Sequence, residues 1–282
     1  SSSIPAYKRG SGHNQGAGRI VNTNSVLRAR YEKVTANTGT APWDLAFKNV
    51  LLVTYGRTGS TLLQGILNTI DGMTMLGENE GAFFHLFEYV SKIERIAKRK
   101  DGNFPGSPFF GASQVDPASA KRSVRSEIYA YFGAARADEG VTCVGFKDVR
   151  YAHADNLDRL QEYLCFLEEM FDQPAFIFLW RNHEEVLRSG FWKQTDRLKS
   201  ASALSEVERQ AALFSSDRQN CFSLDYSNLV ENSAQLRQLF TFLGATIDAE
   251  KIKEIMSIPH SYDPESPAIR DLFNKSKTSL QG

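Results

Sequence analysis

Residues 55–61 form a loop whose composition suits the binding of an anion. The loop reads Tyr-Gly-Arg-Thr-Gly-Ser-Thr and lies between an apolar run and a helical pattern. Consecutive backbone N–H groups and a helix N-terminus at this place can bind phosphate or sulfate oxygens. Gly59 lets the backbone approach a ligand closely, and Arg57 adds a permanent positive charge. Ser60 and Thr61 can add hydroxyl donors, although the loop also fits a plain tight turn in which Ser60 only caps the helix.

The main competing interpretation of this loop is the phosphate-binding loop of nucleoside triphosphatases and kinases. That motif requires Gly-x-x-x-x-Gly-Lys followed by Ser or Thr. Here Gly59 is followed by Ser60, so the lysine and the wider loop are both missing. An ATP-dependent phosphotransferase with a variant loop is therefore disfavoured. It remains the alternative function, together with a non-catalytic nucleotide-binding protein.

Two segments resemble the signatures of sulfotransferases that use 3′-phosphoadenosine-5′-phosphosulfate (PAPS). The sequence Arg-Thr-Gly-Ser-Thr-Leu at 57–62 resembles the 5′-phosphosulfate loop of the carbohydrate and tyrosylprotein branches. Arg181 follows an apolar run and precedes Ser189 by eight residues, which is the spacing of the family's 3′-phosphate signature. The resemblance covers residues 49–244. It implies donor contacts at six loop residues, namely Arg57, Thr58, Gly59, Ser60, Thr61 and Leu62.

The 3′-phosphate signature also makes physical sense. Arg181 can bind a phosphate through two parallel hydrogen bonds, and Ser189 can donate another from two turns along the following helix. The 3′-phosphate is the group that distinguishes PAPS from ATP, so this pair of residues would select the donor. Alternatively, Arg181 pairs with Glu184 or Glu185 at the start of its own helix. The sequence departs from the family at His183, where many members have proline, which affects the start of the helix and not the phosphate contact.

A third segment resembles the family's sequence after its last strand. Residues 223–229 read Ser-Leu-Asp-Tyr-Ser-Asn-Leu. In the family an aromatic side chain at this place lies against the adenine, so the resemblance implies that Tyr226 contacts the adenine. A tyrosine that only covers the edge of a sheet fits the sequence equally well.

The resemblance also implies a general base for the acceptor. The carbohydrate and tyrosylprotein branches use a glutamate about twenty-one residues after the loop arginine, and this count from Arg57 leads to Glu78. A carboxylate enclosed by aromatic residues and the acceptor would have a raised pKa, as a base at working pH requires. Glu80 is the second candidate and Asp148 the next. Both glutamates are also compatible with a structural role, in which they complement the dipole of the following helix.

Sulfuryl transfer needs an in-line nucleophile and stabilisation of the charge that develops on the leaving phosphate, as phosphoryl transfer does. Arg57 and the loop N–H groups are expected to stabilise the oxygen of the breaking bond. Lys147 resembles the family's basic residue at a strand end, although it and Arg150 also fit surface ion pairs.

The expected donor is PAPS, the expected product is adenosine 3′,5′-bisphosphate, and no metal is expected. The expected acceptor is a hydroxyl or an amine of a small molecule or carbohydrate.

Apolar runs alternate with amphipathic stretches from residue 49 onward. Strands are predicted at 49–54, 141–146, 175–180 and 220–224. Helices are predicted at about 62–70, 82–98, 155–170, 183–193, 205–218, 232–243 and 248–257, and the Pro- and Gly-containing stretch 101–118 is predicted to be a surface loop. This alternation predicts a three-layer α/β/α fold with a central parallel sheet. In such folds ligands bind at the carboxyl ends of the strands.

The charge of the chain argues against a polyanionic partner. Thirty-three Lys and Arg balance thirty-three Asp and Glu among the 282 residues, so no global field attracts nucleic acid or an anionic membrane. The sequence lacks an apolar run of about 18 residues, which favours a cytoplasmic protein without a membrane span. Residues 1–42, rich in Ser, Gly, Asn and Thr, are predicted to be a flexible arm, and residues 43–282 the sulfotransferase domain. A homo-oligomer is compatible with the sequence.

Overall fold

The computed structural model describes residues 45–153, 157–230 and 233–258. All of them fall within one structural unit, Ala41–Tyr262. The predicted flexible arm at 1–42 lies outside the described residues. Among the helices that are described, none is both long enough and apolar enough to cross a membrane.

Five parallel strands form the central sheet, in the order β2-β3-β1-β4-β5. Their bounds are Asn49–Val53 (β1), Met73–Leu76 (β2), Cys143–Asp148 (β3), Pro174–Trp180 (β4) and Cys221–Asp225 (β5). Val53 of β1 pairs with Asp148 of β3 on one side and with Phe178 of β4 on the other. The strand order changes direction at β1, because the next two strands lie on one side of it and the last two on the other. A ligand is expected to bind outside the carboxyl ends of the strands at such a point.

Helices cover the sheet and connect its strands. In chain order they are α1 (Ser60–Leu67), α2 (Ala82–Ala97), α3 (Pro117–Tyr131), α4 (Gly133–Arg136), α5 (Leu160–Met170), α6 (His183–Leu187), α7 (Arg197–Ser215), α8 (Tyr226–Val230), α9 (Ala234–Leu243) and α10 (Ala249–Met256). Two short 3₁₀ helices lie at Ala112–Gln114 and Gly190–Gln194.

Strand β1 shows that both faces of the sheet are buried. Leu51 and Val53 belong to an aromatic-rich core that also contains buried residues of α2, α3, α5 and α7. Val50 and Leu52 point to the opposite face and are also fully buried. On that side the amphipathic helices α1, α9 and α10 contribute their own buried residues. The predicted three-layer α/β/α fold with a parallel sheet is therefore confirmed.

The four predicted strands are all present, and the prediction missed a fifth. β3 lies two residues further along the chain than the predicted strand at 141–146. The missed strand is β2, with the sequence Met-Thr-Met-Leu at the edge of the sheet. It has only four residues, and it follows the Asp71-Gly72 turn so closely that its alternation is too short to be recognised.

Helix α3 was not predicted, and two predicted helices differ in extent because of local capping and turn residues. The loop predicted at 101–118 ends at Asp116, which accepts a hydrogen bond from the N–H of Ala118 and caps the missed helix α3 at Pro117–Tyr131. The helix predicted at 205–218 begins earlier, at Arg197, because Asp196 caps it. The helix predicted at 183–193 is interrupted after α6, where Ser189 has an extended backbone.

Candidate functional site

The loop between β1 and α1 is held by buried threonine hydroxyls. The Oγ1 atoms of Thr54 and Thr58 are 2.7 Å apart. Thr54 donates from Oγ1 to the carbonyl oxygen of Leu179 at 2.6 Å, which leaves the hydroxyl proton of Thr58 for Oγ1 of Thr54 or for the carbonyl oxygen of Tyr55 at 3.1 Å. These bonds connect the loop to the end of β4. The side chain of Thr58, a predicted donor contact, is buried and makes its hydrogen bonds within the protein.

The N-terminus of α1 has the properties of an anion-binding site. Gly59 precedes the helix in a left-handed conformation (φ 85°), and no side chain caps the helix. No acidic residue lies in the first turn. The first N–H groups of a helix have no partner within the helix, and the helix dipole makes this end positive. Of the other predicted loop contacts, Thr61 is exposed here, whereas Ser60 and Leu62 are almost completely buried.

Arg57 and Ser189, which are 132 residues apart in the sequence, are in direct contact. Nε of Arg57 donates to Oγ of Ser189 at 2.9 Å. The prediction placed Ser189 two turns along a helix, and this is wrong, because α6 ends at Leu187. Gly190 follows with φ 56°, and a Cβ atom there would lie 2.9 Å from Cδ of Arg57. The break in the helix therefore brings Ser189 and Gly190 against Arg57.

Arg181 lies between the β1–α1 loop and the start of α8. Its Nη1 atom donates to the carbonyl oxygen of Arg57 at 3.3 Å. Its guanidinium carbon lies 4.2 Å from the centre of the Tyr226 ring. A Cβ atom on Gly59 would be only 2.4 Å from the same ring. Tyr226 thus packs against both the loop and Arg181, and the structure brings together Arg57, Gly59, Arg181, Ser189 and Tyr226 as one group.

Glu185 also binds this arginine. Nε of Arg181 donates to Oε2 of Glu185 at 2.8 Å, four residues along the chain. The side chain of Arg181 is 26% exposed and that of Glu185 is 56% exposed, so the pair lies at the surface. The pairing that the sequence left as an alternative for Arg181 is present, and it coexists with the contacts to Arg57 and Tyr226.

A second group at the same edge of the sheet contains Glu78 and Lys147. Nζ of Lys147 donates to Oε1 of Glu78 at 2.7 Å. The lysine side chain is only 8% exposed and the glutamate side chain is 35% exposed. Lys147 lies inside β3 rather than after it, which corrects the predicted strand end. Glu80, the other candidate base, is exposed and has a left-handed backbone (φ 56°).

Asp148 ends β3 beside this pair and is almost completely buried. Its Oδ1 atom accepts hydrogen bonds from the N–H groups of Val149 and Arg150 at 2.7 and 3.2 Å. Burial raises the pKa of the Asp148 carboxyl above its ordinary value, the two N–H groups oppose this, and the negative charge of Glu78 adds to it. Since Asp148 faces the aromatic core with its strand neighbour Phe146, it is less accessible to a ligand than Glu78.

Sequence reasoning missed a polar network beside Arg181. The hydroxyl of Tyr55 donates to Oε1 of Glu208 at 2.6 Å, and Nε2 of His183 lies 2.8 Å from the same oxygen. Burial raises the pKa of Tyr55, and the hydrogen bond to Glu208 raises it further. His183 had no recognisable partner in the sequence, because Glu208 lies 25 residues away on α7. A second missed contact is the donation from Nε1 of Trp192 to the carbonyl oxygen of Gly56 at 3.0 Å.

Within the residues that the structure describes, no group of three His, Cys, Asp or Glu side chains is arranged to hold a metal ion.

Comparison with known proteins finds similarity to solved structures. No protein-family model matches the chain, and no curated protein matches it. The sulfotransferase domain from the Synechococcus PCC 7002 olefin synthase matches with a TM-score of 0.50 and 19% sequence identity, covering 83% of this chain and 86% of that chain. A sulfotransferase domain from the curacin biosynthetic pathway matches with a TM-score of 0.46 and 15% identity, covering 76% and 79%. The first match shows that this chain has the fold of a sulfotransferase domain.

Proposed function

We propose that this protein is a sulfotransferase that moves the sulfuryl group of PAPS to a hydroxyl or an amine of a small-molecule or carbohydrate acceptor. The observation that carries the proposal is the convergence of Arg57, Arg181 and Tyr226 beside the uncapped N-terminus of α1. The fold shared with a sulfotransferase domain supports it independently of these contacts.

The two arginines would bind the two ends of the donor. Arg57 and the first N–H groups of α1 would hold the 5′-phosphosulfate, since a guanidinium and a helix N-terminus both stabilise a polyanion. Arg181 would bind the 3′-phosphate through charge-assisted hydrogen bonds. Ser189, which already accepts a hydrogen bond from Arg57, retains its own hydroxyl proton for a phosphate oxygen. Tyr226 keeps Gly59 and Arg181 in place, and its remaining surface is the proposed contact for the adenine.

Glu78 is the proposed general base. The acceptor oxygen or nitrogen attacks the sulfur, the bond between sulfur and the phosphate oxygen breaks, and the electron pair stays on the departing adenosine 3′,5′-bisphosphate. The acceptor proton passes to the carboxylate of Glu78. The ammonium group of Lys147 holds the Glu78 carboxylate in place through their hydrogen bond, and it can also interact with the charge on the transferred group. Asp148 remains the alternative base, although its burial makes proton transfer from an acceptor less direct.

Titration with two nucleotides tests the donor. Isothermal titration calorimetry at constant ionic strength should show tighter binding of adenosine 3′,5′-bisphosphate than of ATP. Tighter binding of ATP would contradict the proposal and favour a phosphotransferase.

Turnover needs a separate measurement. Incubation with PAPS carrying ³⁵S and a panel of sugars, phenols, aliphatic alcohols and amines should label at least one acceptor. Binding of the bisphosphate without any labelled product across such a panel would favour a non-catalytic nucleotide-binding protein.

A further inference from the structure

The guanidinium group of Arg181 is held on three sides by the protein. Nη1 donates to the carbonyl oxygen of Arg57, the flat face lies over Tyr226, and Nε donates to Glu185. The carbonyl oxygen and the aromatic ring carry no net charge, so these two contacts do not offset the positive charge of Arg181. Only Glu185 brings a full negative charge to the group that is proposed to bind the 3′-phosphate.

A phosphate that binds Arg181 through a pair of parallel hydrogen bonds needs two adjacent N–H groups of the guanidinium. Glu185 occupies the Nε position at 2.8 Å. The phosphate must therefore displace this carboxylate or bind close to it, and in the second case the two negative charges repel each other. Either route reduces the affinity of the site for a 3′-phosphate.

We propose that Glu185 is an intramolecular competitor of the 3′-phosphate, so that it lowers the affinity of both the donor and the product nucleotide and speeds the release of the product. This inference rests on the proposed function. Donor and product carry the same 3′-phosphate, so the effect on their binding is shared. Release of the product limits turnover in many enzymes, and a competing carboxylate at this position shortens the lifetime of the product complex.

The neighbouring Glu184 provides a matched control. It lies on the same short helix and carries the same charge, but it pairs with Arg188 and Arg197 rather than with Arg181. Its side chain is 56% exposed, which is the same fraction as for Glu185. Substitution of either glutamate by Gln removes one negative charge and keeps the size of the side chain. A difference between the two variants therefore reports the contact with Arg181 and not the change in net charge.

The experiment measures binding and dissociation of adenosine 3′,5′-bisphosphate with the wild-type protein, Glu185→Gln and Glu184→Gln. Glu185→Gln should bind about 3–5-fold more tightly and release the nucleotide more slowly by a similar factor, which is the upper part of the range for a surface ion pair. Glu184→Gln should stay within about twofold of the wild type. Adenosine 5′-phosphosulfate, which lacks the 3′-phosphate, should bind all three proteins alike.

A second variant tests the contact itself. Glu185→Asp keeps the charge but shortens the side chain, so it should tighten binding of the bisphosphate less than Glu185→Gln does. If the wild type binds the bisphosphate but Glu185→Gln binds it no more tightly than Glu184→Gln, the inference about Glu185 is wrong and the proposed function stands. If Glu185→Gln also binds adenosine 5′-phosphosulfate more tightly by the same factor, the inference is likewise wrong, because Glu185 would then not act on the 3′ group. If none of the proteins binds the bisphosphate, the proposed function itself fails.

Discussion

The ammonium group of Lys147 lies 2.7 Å from the carboxylate of Glu78, although the two residues are 69 positions apart in the sequence. The lysine belongs to β3 and is nearly buried, whereas the glutamate follows β2 and is about one-third exposed. The nearly buried ammonium group therefore holds a carboxylate that remains partly accessible from outside the protein. The proposed role of Glu78 as general base rests on this contact and on the accessibility of its carboxylate.

Glu78→Gln is expected to keep nucleotide affinity and to lower turnover on the order of 10²–10⁴-fold, the range for a lost general base. Glutamine has the same size and can still accept a hydrogen bond from Lys147. Steady-state rates with saturating PAPS, together with calorimetric titration of the bisphosphate, separate the two effects. Glu80→Gln is the control, because Glu80 lies two residues away and is exposed. Loss of activity in the control alone would identify Glu80 as the base, and loss in neither would direct attention to Asp148.

Arg181→Ala is expected to weaken binding of PAPS and of the bisphosphate by about 2–4 kcal/mol, because the 3′-phosphate loses a charged bidentate partner. Binding of adenosine 5′-phosphosulfate should change little, since it has no 3′-phosphate. Calorimetric titration of the wild type and of Arg181→Ala with the bisphosphate and with adenosine 5′-phosphosulfate measures the difference. An equal loss for the two nucleotides would show that Arg181 does not recognise the 3′ group.

Gly59→Ala is expected to destabilise the protein by more than the strain of its backbone alone. The left-handed conformation at φ 85° costs an alanine about 1–2 kcal/mol, and its Cβ atom would also meet the Tyr226 ring at 2.4 Å. Gly111→Ala is the matched control, because φ there is 87° and no atom lies within 4 Å of the added Cβ. Urea denaturation should therefore show a larger loss for Gly59→Ala, and only this variant should bind the bisphosphate more weakly. Equal effects of the two substitutions would mean that contact with Tyr226 does not shape the loop.

Asp148→Asn is expected to change the pH dependence of stability. Burial raises the folded-state pKa of Asp148 above the ordinary value of 3.8, so the folded protein holds this proton more tightly than the unfolded chain does. The stability that protonation contributes is complete below the ordinary pKa and is lost as pH rises through the raised folded pKa. The asparagine variant does not undergo this loss.

The free energy of unfolding tests this directly, by urea denaturation of both proteins from about pH 4 to pH 7. Relative to the wild type, Asp148→Asn should become more stable as the pH rises. A difference between the two proteins that stays constant over this range would rule out a raised pKa for Asp148.

Much of the architecture follows from patterns that are local in the sequence. The apolar run at 49–54 predicted β1, and the composition of 55–61 predicted a tight loop that ends in a helix N-terminus. Both predictions succeed because backbone conformation depends on neighbouring residues and on burial on both faces. β2 was missed because its four alternating residues contain too little pattern to be recognised.

Which residues form the candidate site depends on contacts between segments that are far apart in the sequence. From the sequence, Ser189 was expected on a helix, Arg181 could pair with Glu184 or Glu185, and His183 had no partner. The break after α6 brings Ser189 to Arg57, and the packing of α7 brings Glu208 to His183.

The sequence by itself determined four of the five strands, the tight loop before α1 and the residue types at the candidate site, because these depend on local composition and spacing. Only the tertiary structure decided which side chains meet, because that depends on strand order and register. Parallel strands in the order β2-β3-β1-β4-β5 bring the ends of β1 and β4 together, and with them Arg57 and Arg181. The same order places Lys147 of β3 beside the loop after β2, where it meets Glu78. Neither meeting has a local signal, because the residues involved are separated by 124 and 69 positions.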